Sequence, residues 1–427
     1  MISRRASLAV LGSGPLALAG CARAARPGSA SHTDAAARHS RFASLAGFCD
    51  GVPPIAAAEL ERRQERARLL LGGAGIIALV VEAGATMRYF AGDGWNRSER
   101  PLLLVLPAEG RPFFVGPAFE EGTLRETMVG GGELRVWQEH EDAYELAVAG
   151  LRERAGPRGR VALDPSTRLF VSSGLTRAGD GLVFENGAAL VDACRMVKSA
   201  AELALLRRAN QATKAAVRAA AAHVSAGMTE DDLADLVEEA QKAAGLGSIW
   251  SLVAFGPNAA FPHGTKNRRR LASGDLILVD TGGDLHGYQS DISRTWAFGP
   301  PSGEGRRAFD TVLRAQEAAL EAIRPGARCG DVDAAARRVL ADLGFGSAYE
   351  RFTHRLGHGI GLEGHEPPYL VRGNQTRLEP GMTMSNEPGI YIRGQLGVRI
   401  EDIVAVTDGA AEVFGPRVRS LESPFGE

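Results

Sequence analysis

A chain of 427 residues is long enough for two domains that each bury a core, and 44% hydrophobic with 23% charged residues is the make-up of an ordinary globular protein. The formal net charge of −2 leaves no basic footprint for nucleic acid and no acidic tail. The isolated run Arg268-Arg269-Arg270 reads as a solvated turn before a strand.

The first feature along the chain is Arg4-Arg5 followed by an apolar stretch from Leu8 to Ala19. That stretch is too short to span a bilayer comfortably and suits the hydrophobic region of a signal peptide. It ends in Leu18-Ala19-Gly20-Cys21, which resembles the bacterial lipobox. Residues 1–20 are therefore expected to be removed, with Cys21 carrying the lipid of an exported lipoprotein anchored to the membrane and facing the periplasm or the outside. Ser3-Arg4-Arg5 also resembles a twin-arginine export signal. The alternative is an ordinary cleaved signal peptide with a chance cysteine. From Ala22 to about His39 the chain is rich in Ala, Ser and Arg without an apolar period, so residues 21–41 read as a flexible tether. Cys21, Cys49, Cys194 and Cys329 match no metal-binding spacing, and with Cys21 lipidated the other three cannot all pair. No disulfide framework is expected.

Residues 42–196 read as a smaller α/β domain. Short apolar runs at 75–81, 102–106, 113–115, 134–137 and 160–163 have strand length, and 141–154 reads as a helix among them. Such alternation predicts a mixed sheet covered by helices. No glycine-rich phosphate loop follows a strand, which leaves nucleotide binding without support. A long helix capped by Ser199 and running to about His223 opens a second domain over 197–427.

The second domain carries an internal repeat. Gly227 and Gly245 bracket a helical segment capped by Thr229 with Asp232 three residues on, and Gly326 and Gly344 bracket another at the same separation. Downstream, the segment from Ser273 to Gly282 aligns without gaps with Pro380 to Gly389. In each, a turn at glycine leads into a strand that ends on an acid, Asp280 or Glu387, and a second acid follows, Asp291 or Glu401. Between Asp280 and Asp291, Gly283 to Tyr288 reads as a hairpin loop that would hold the two acids on one face of adjacent antiparallel strands. Two such halves would gather four carboxylates around a pseudo-twofold axis.

Ionised carboxylates converging in a cleft repel one another, so they need a cation or their pKa values must rise. A glycine-rich stretch from Thr353 to Glu366 supplies three of the nine histidines, a density that points to a site. His263 sits in the loop before the first acidic strand. Four carboxylates and one imidazole suit two divalent ions sharing bridging oxygens, able to bind a water between them and lower its pKa. The chemistry predicted is hydrolysis of an amide or a phosphate ester. The oxygen-rich set favours Mn(II), with Co(II) or Zn(II) as alternatives. A structural calcium site is disfavoured by the imidazole.

Residues from about 200 to 415 resemble the pita-bread metallopeptidases: aminopeptidase P, prolidase and methionine aminopeptidase, with creatinase as a metal-free relative. The stretches that carry the resemblance are Pro262-His263-Gly264, Val279-Asp280-Thr281-Gly282, Gly287-Tyr288-Gln289-Ser290-Asp291, Gly357-His358-Gly359-Ile360-Gly361, Asn386-Glu387-Pro388-Gly389 and Val398-Arg399-Ile400-Glu401-Asp402. The preceding segment resembles the creatinase-type N-terminal domain, and Arg195-Met196-Val197-Lys198-Ser199 resembles the join found there. The resemblance implies an α+β pita-bread catalytic domain with a pseudo-twofold repeat, often dimeric. It implies that Asp280 binds one metal, that Asp291 and Glu401 bridge both, and that His358 and Glu387 complete the second. It further implies Glu387 as proton acceptor, His263 and His365 as hydrogen-bond donors to the substrate carbonyl and developing oxyanion, and His354 and Arg399 as walls of the proline pocket. The expected activity is hydrolysis of the bond before a proline in peptides or dipeptides. A methionine aminopeptidase-like hydrolase and a non-catalytic binding protein on the same fold are the alternatives, and the export signal departs from the usual cytosolic members.

Overall fold

The computed structural model describes residues 41–92, 95–127 and 132–426. The expected signal segment, Cys21 and nearly all of the tether lie outside the described residues. The first sheet is built from β1 (Ile76–Glu82), β2 (Leu103–Pro107), β3 (Phe113–Pro117), β4 (Glu133–Trp137), β5 (Gly159–Leu163) and β6 (Leu182–Asn186), in the order β4-β3-β2-β1-β5-β6. Successive residues of a strand point to opposite faces, and both faces are covered here. Leu79, Val81, Leu104 and Leu106 pack against α1 (Ala57–Ala74), α2 (Ala85–Ala91) and α6 (Ala188–Arg195). Ala78, Val80, Leu103 and Val105 pack on the other side, against α4 (Ala143–Ala155) and α5 (Leu169–Ala178). A short α3 (Glu121–Thr127) precedes β4. The five strands expected from sequence are all present. The sixth, β6, lies at the sheet edge with Val183 59% exposed, so it lacks the continuous apolar signal of a buried strand.

The chain before α1 belongs by its packing to the other core. Phe42, Leu45 and Cys49 are buried among residues of α7 (Ala200–Ala221) and α8 (Glu230–Ala243), and the Cys49 N–H donates to the Ala244 carbonyl at 3.2 Å. The boundary drawn at residue 42 from sequence therefore separates this segment from its apolar partners. Cys49, Cys194 and Cys329 are free, buried thiols.

Both opening helices of the second half are capped as their sequences require. Ser199 with Glu202 and Thr229 with Asp232 each form a capping box. The strands that follow are β7 (Gly247–Phe255), β8 (Leu276–Leu285), β9 (Tyr288–Gln289) and β10 (Ile292–Ala297), with β8 central between β10 and β7. Then come α9 (Gly303–Ala322), α10 (Cys329–Asp342), β11 (Gly357–Gly359), β12 (Glu366–Leu370), β13 (Thr383–Asn386), the β14 (Gly389–Ile392) and β15 (Leu396–Arg399) hairpin, β16 (Asp402–Ala405) and β17 (Glu412–Val413).

The repeat read in the sequence is a repeat of hydrogen bonds. Gly227 N donates to Leu271 O at 2.9 Å and Leu271 N to Met228 O at 2.8 Å; the second half answers with Gly326 N to Leu378 O at 2.8 Å and Leu378 N to Ala327 O at 2.9 Å. Arg270 and Arg377 each return a guanidinium bond, to the Gly227 and Gly326 carbonyls. Gly274 and Gly381, the turn residues of the two aligned segments, both have a φ of +91°, a conformation that glycine adopts without steric cost. One expectation is corrected. Thr281 to Leu285 are still strand, so Asp280 lies in the middle of β8 rather than at its end. The turn itself is only His286-Gly287, both with positive φ, as a tight hairpin of right-handed strands requires. Arg268 and Arg270 are exposed in the turn, and Arg269 pairs with Asp275 at 2.8 Å.

The two halves meet along a seam. Ser293 of β10 bridges Glu401, whose N–H donates to the Ser293 carbonyl at 3.0 Å, and Thr295 Oγ1 donates to the Arg399 carbonyl at 2.8 Å.

Candidate metal centre

At that seam the acidic residues converge. Asp280 comes from β8 and Asp291 from the link between β9 and β10. Glu387 follows β13, Glu401 joins β15 to β16, and His358 is the middle residue of β11. Potential ligand atoms of Asp280, Asp291 and Glu401 lie within 4.8 Å of one another, as do those of His358, Glu387 and Glu401, and those of Asp291, His358 and His365. Asp291, Glu401 and His358 each belong to two of these triads, so the groups interlock. Asp291, His358 and Glu401 are buried, whereas Asp280 and Glu387 are partly open.

The side chains beneath fix the ligand atoms. Ser293 Oγ stands 3.0 Å from Asp280 Oδ1 and 2.8 Å from Glu401 Oε2, and accepts from Arg399 Nε at 2.8 Å. Its single proton can serve only one carboxylate at a time. Ser385 Oγ accepts the His358 N–H at 3.0 Å and donates to Glu387 Oε1 at 3.0 Å. His358 Nδ1 lies 3.1 Å from the Gly359 carbonyl, which holds the proton there and turns the Nε2 lone pair to the acids. Nε2 is 3.2 Å from Glu387 and 3.8 Å from Asp291. Neither Ser293 nor Ser385 was singled out from sequence. Each lies two residues from an acid, Asp291 and Glu387, so strand alternation was the available signal.

Two of the acids behave as the sequence argument requires. Burial, then the Asp280 charge, pushes the Asp291 carboxyl well above the usual carboxylate range. Burial, then Asp291, Glu387 and Asp280, does the same to Glu401. Glu387 moves the other way. Burial would raise it, but the hydrogen bond and charge of His358 outweigh burial and hold it at about 2. Burial alone would lower His358, yet Glu387 and Asp291 keep its pKa raised. Asp291 Oδ1 and Glu401 Oε1 are buried with no hydrogen-bond partner among the described residues. A buried carboxylate oxygen without a donor is costly. Four carboxylates, one oriented imidazole and two orphaned oxygens fit divalent cations as ligands.

The other residues expected at the site surround it. His365 lies at the surface and stacks on His358 with ring centroids 3.7 Å apart; desolvation of the stacked ring, then the neighbouring His358, lowers its pKa to about 4, so it is neutral at pH 7. His263 is exposed in its loop. His354 Nε2 lies 2.8 Å from the Tyr391 hydroxyl, its Nδ1 is 3.9 Å from Glu387, and burial lowers its pKa to about 4. Arg399 is buried, 3% exposed, and its donors are engaged. They reach Asp280 at 2.5 Å, Ser293 at 2.8 Å, Tyr391 at 2.9 Å and the Pro262 carbonyl at 3.2 Å. The guanidinium thus forms an ion pair with a neighbouring acid, Asp280. Tyr391, which joins His354 to Arg399, carried no sequence signal.

Comparison with known proteins agrees with this geometry. Residues 204–408 match the model of metallopeptidase family M24, and residues 63–197 match the creatinase/prolidase N-terminal domain. A probable dipeptidase PepE of Mycobacterium tuberculosis is 39% identical over 357 residues, covering 82% of this chain and 93% of its own. The crystal structure of dipeptidase PepE from Mycobacterium ulcerans superposes with a TM-score of 0.81 at 37% identity, covering 86% of this chain and 98% of that one. A recombinant prolidase from Thermococcus sibiricus superposes with a TM-score of 0.77 at 30% identity, over 83% and 96% of the two chains.

Proposed function

Because the chain belongs to metallopeptidase family M24, with the pita-bread fold and a creatinase-type N-terminal domain, we propose that it hydrolyses the Xaa-Pro bond of peptides with proline second, dipeptides above all. The observation that carries the reading is the interlocking set of triads around Asp291 and Glu401, whose buried oxygens have no partner among the described residues. The names of the relatives, dipeptidase and prolidase, favour the dipeptide form.

In this reading Asp280, Asp291, His358, Glu387 and Glu401 hold two divalent ions, Mn(II) first by the hardness of the donors. Such a pair would supply Lewis acidity towards the scissile carbonyl and would acidify a bound water. The chain does the rest. Glu387, kept ionised at neutral pH by His358, accepts the proton of the attacking water and delivers it to the departing proline nitrogen. Neutral His365, together with His263, donates an N–H to the carbonyl oxygen as charge develops there. Arg399 steadies Asp280 and, with His354 and Tyr391, walls the pocket for the proline ring. A proline amide has no N–H and a fixed φ, which defeats peptidases that grip that donor. Attack on the carbonyl needs no such donor.

The test compares Ala-Pro, Ala-Pro-Ala and Ala-Ala-Ala with defined metals. Alanine is expected from the first two and not from the third. Equal cleavage of Ala-Ala-Ala ends the proline assignment, and faster cleavage of Met-Ala-Ser moves it to a methionine aminopeptidase.

The same reading includes a homodimer and an exported lipoprotein anchored through Cys21 by a twin-arginine route, which would let the enzyme fold and load metal before export. Among the described residues no helix is long and apolar enough to cross a membrane.

A further inference from the structure

His365 ends a loop, 361–365, that bulges between β11 and β12, and the loop is fastened from an unexpected side. Glu366, the first residue of β12, is buried, and its carboxylate gathers three donors. Lys198 Nζ reaches Oε1 at 2.7 Å, Arg195 Nη2 reaches Oε2 at 2.6 Å, and the Glu363 N–H reaches Oε2 at 3.3 Å. Arg195 Nη2 also reaches Glu363 Oε2 at 2.8 Å, so one guanidinium ties both ends of the turn that carries His365. Its Nη1 donates to Thr86 Oγ1 at 3.0 Å, and Thr86 in turn donates to Asp164 at 3.1 Å, both in the first domain. Arg195 and Lys198 are themselves buried; Arg195 ends α6 and Lys198 lies in the short segment that joins it to α7.

A buried carboxylate with two buried cations is a poor way to stabilise a fold, because desolvation consumes most of the Coulombic gain. It is an effective way to fix a geometry, since a guanidinium fork admits few arrangements. The loop needs such fixing. It contains Gly361 and Gly364, and His365 is exposed, held within the described residues chiefly by its stack on His358.

We propose that Arg195, Lys198 and Glu366 are positioning residues that set the place of the His365 imidazole from the join between the domains, so that the first domain contributes to turnover without touching substrate. The inference rests on the reading of His365 given above. A displacement of about 1 Å at a reacting group can cost about a hundredfold in rate.

The experiment is a double-mutant cycle on the metal-loaded enzyme with Ala-Pro, measuring kcat, KM, bound metal and melting temperature. Glu366→Gln and Lys198→Met are each made in the wild-type and His365→Ala backgrounds. Arg195→Lys, which keeps the charge but not the fork, serves if Glu366→Gln does not fold. In the wild-type background we expect kcat to fall about tenfold or more, with KM within about twofold and metal content unchanged. In the His365→Ala background the same substitutions should change kcat by less than about twofold, because the group they position is gone. The same fold-loss in both backgrounds, or a loss that follows melting temperature or metal content, overturns the inference and leaves the histidine's role intact. Full activity of His365→Ala alone overturns the histidine's role first, and the inference with it.

Discussion

At the scale of single residues, the acids of the metal centre are held in a state that folding alone does not favour. Asp291 and Glu401 have raised carboxyl pKa values in the metal-free fold, from burial first and next from Asp280 in the one case and Asp291 in the other. At these two groups the folded chain therefore binds more protons than the unfolded chain. The stability this contributes is fully present below the unfolded carboxylate value, near pH 4, and is lost as pH rises through the raised folded value. The raised His358 acts in the same direction, while Glu387, at about 2, titrates below this window. His354 and His365, lowered to about 4, act in the opposite direction across the same window, so the contribution of the two acids is read from a variant. Asp291→Asn removes one buried charge and relieves Glu401. Its metal-free form should melt a few degrees above metal-free wild type at pH 7.5, with the gap narrowing at pH 5. Its activity with metal should fall about a hundredfold or more. Melting curves in chelator at the two pH values, beside an activity assay, check both outcomes, and a lower melting temperature for metal-free Asp291→Asn at pH 7.5 contradicts the electrostatic account.

At the scale of elements, the strands that carry ligands leave no space behind them. A Cβ added at Gly357, next to His358, would stand 2.0 Å from the Ser385 carbonyl oxygen across the sheet. Both partners are backbone in paired strands, so neither can yield cheaply. Gly357→Ala is expected to cost about 3 kcal/mol of stability and to displace the imidazole of His358. Chemical denaturation of the metal-free protein reads the first, and the affinity for Mn(II) reads the second. A change within about 0.5 kcal/mol would show that β11 can shift without cost. The elements themselves were legible where local rules govern them. Ser199 and Thr229 announce their helices because a cap is set within four residues. The extent of β8 was not legible. Asp280-Thr281-Gly282-Gly283-Asp284 looks like a loop, yet β7 pairs with it through Leu252, Ser251, Trp250 and Gly247. Only the partner strand gives those polar and glycine residues their extended form.

At the scale of the whole molecule, two cores are tied by buried charge, and the N-terminal segment preceding them carries the question of place. The lipid anchor is motivated by the apolar run that ends in Leu18-Ala19-Gly20-Cys21. Expressed with its own leader, the protein should fractionate with membranes, be extracted by detergent, and become soluble when Cys21→Ser removes the attachment point. Unchanged partitioning of Cys21→Ser would remove the anchor from the account. The homodimer expected from resemblance is checked in the same preparations by the mass in solution.

The sequence by itself determined the types and spacing of the acids and histidines of the candidate site, the two matched halves and the caps of the helices. These are written in periods and intervals of a few residues, and each half repeats the other closely enough to be aligned by eye. What only the tertiary structure decided are the meetings of distant parts. Ser293 reaches Glu401 across 108 residues, Arg399 reaches Asp280 across 119, and Arg195 reaches Glu366 across 171. The first two convert matched acids into one site, and the third fastens the loop that carries His365. No local pattern encodes such pairs, because their partners are chosen by how two separately formed sheets and a covering domain pack, and that packing exists only once the cores have closed.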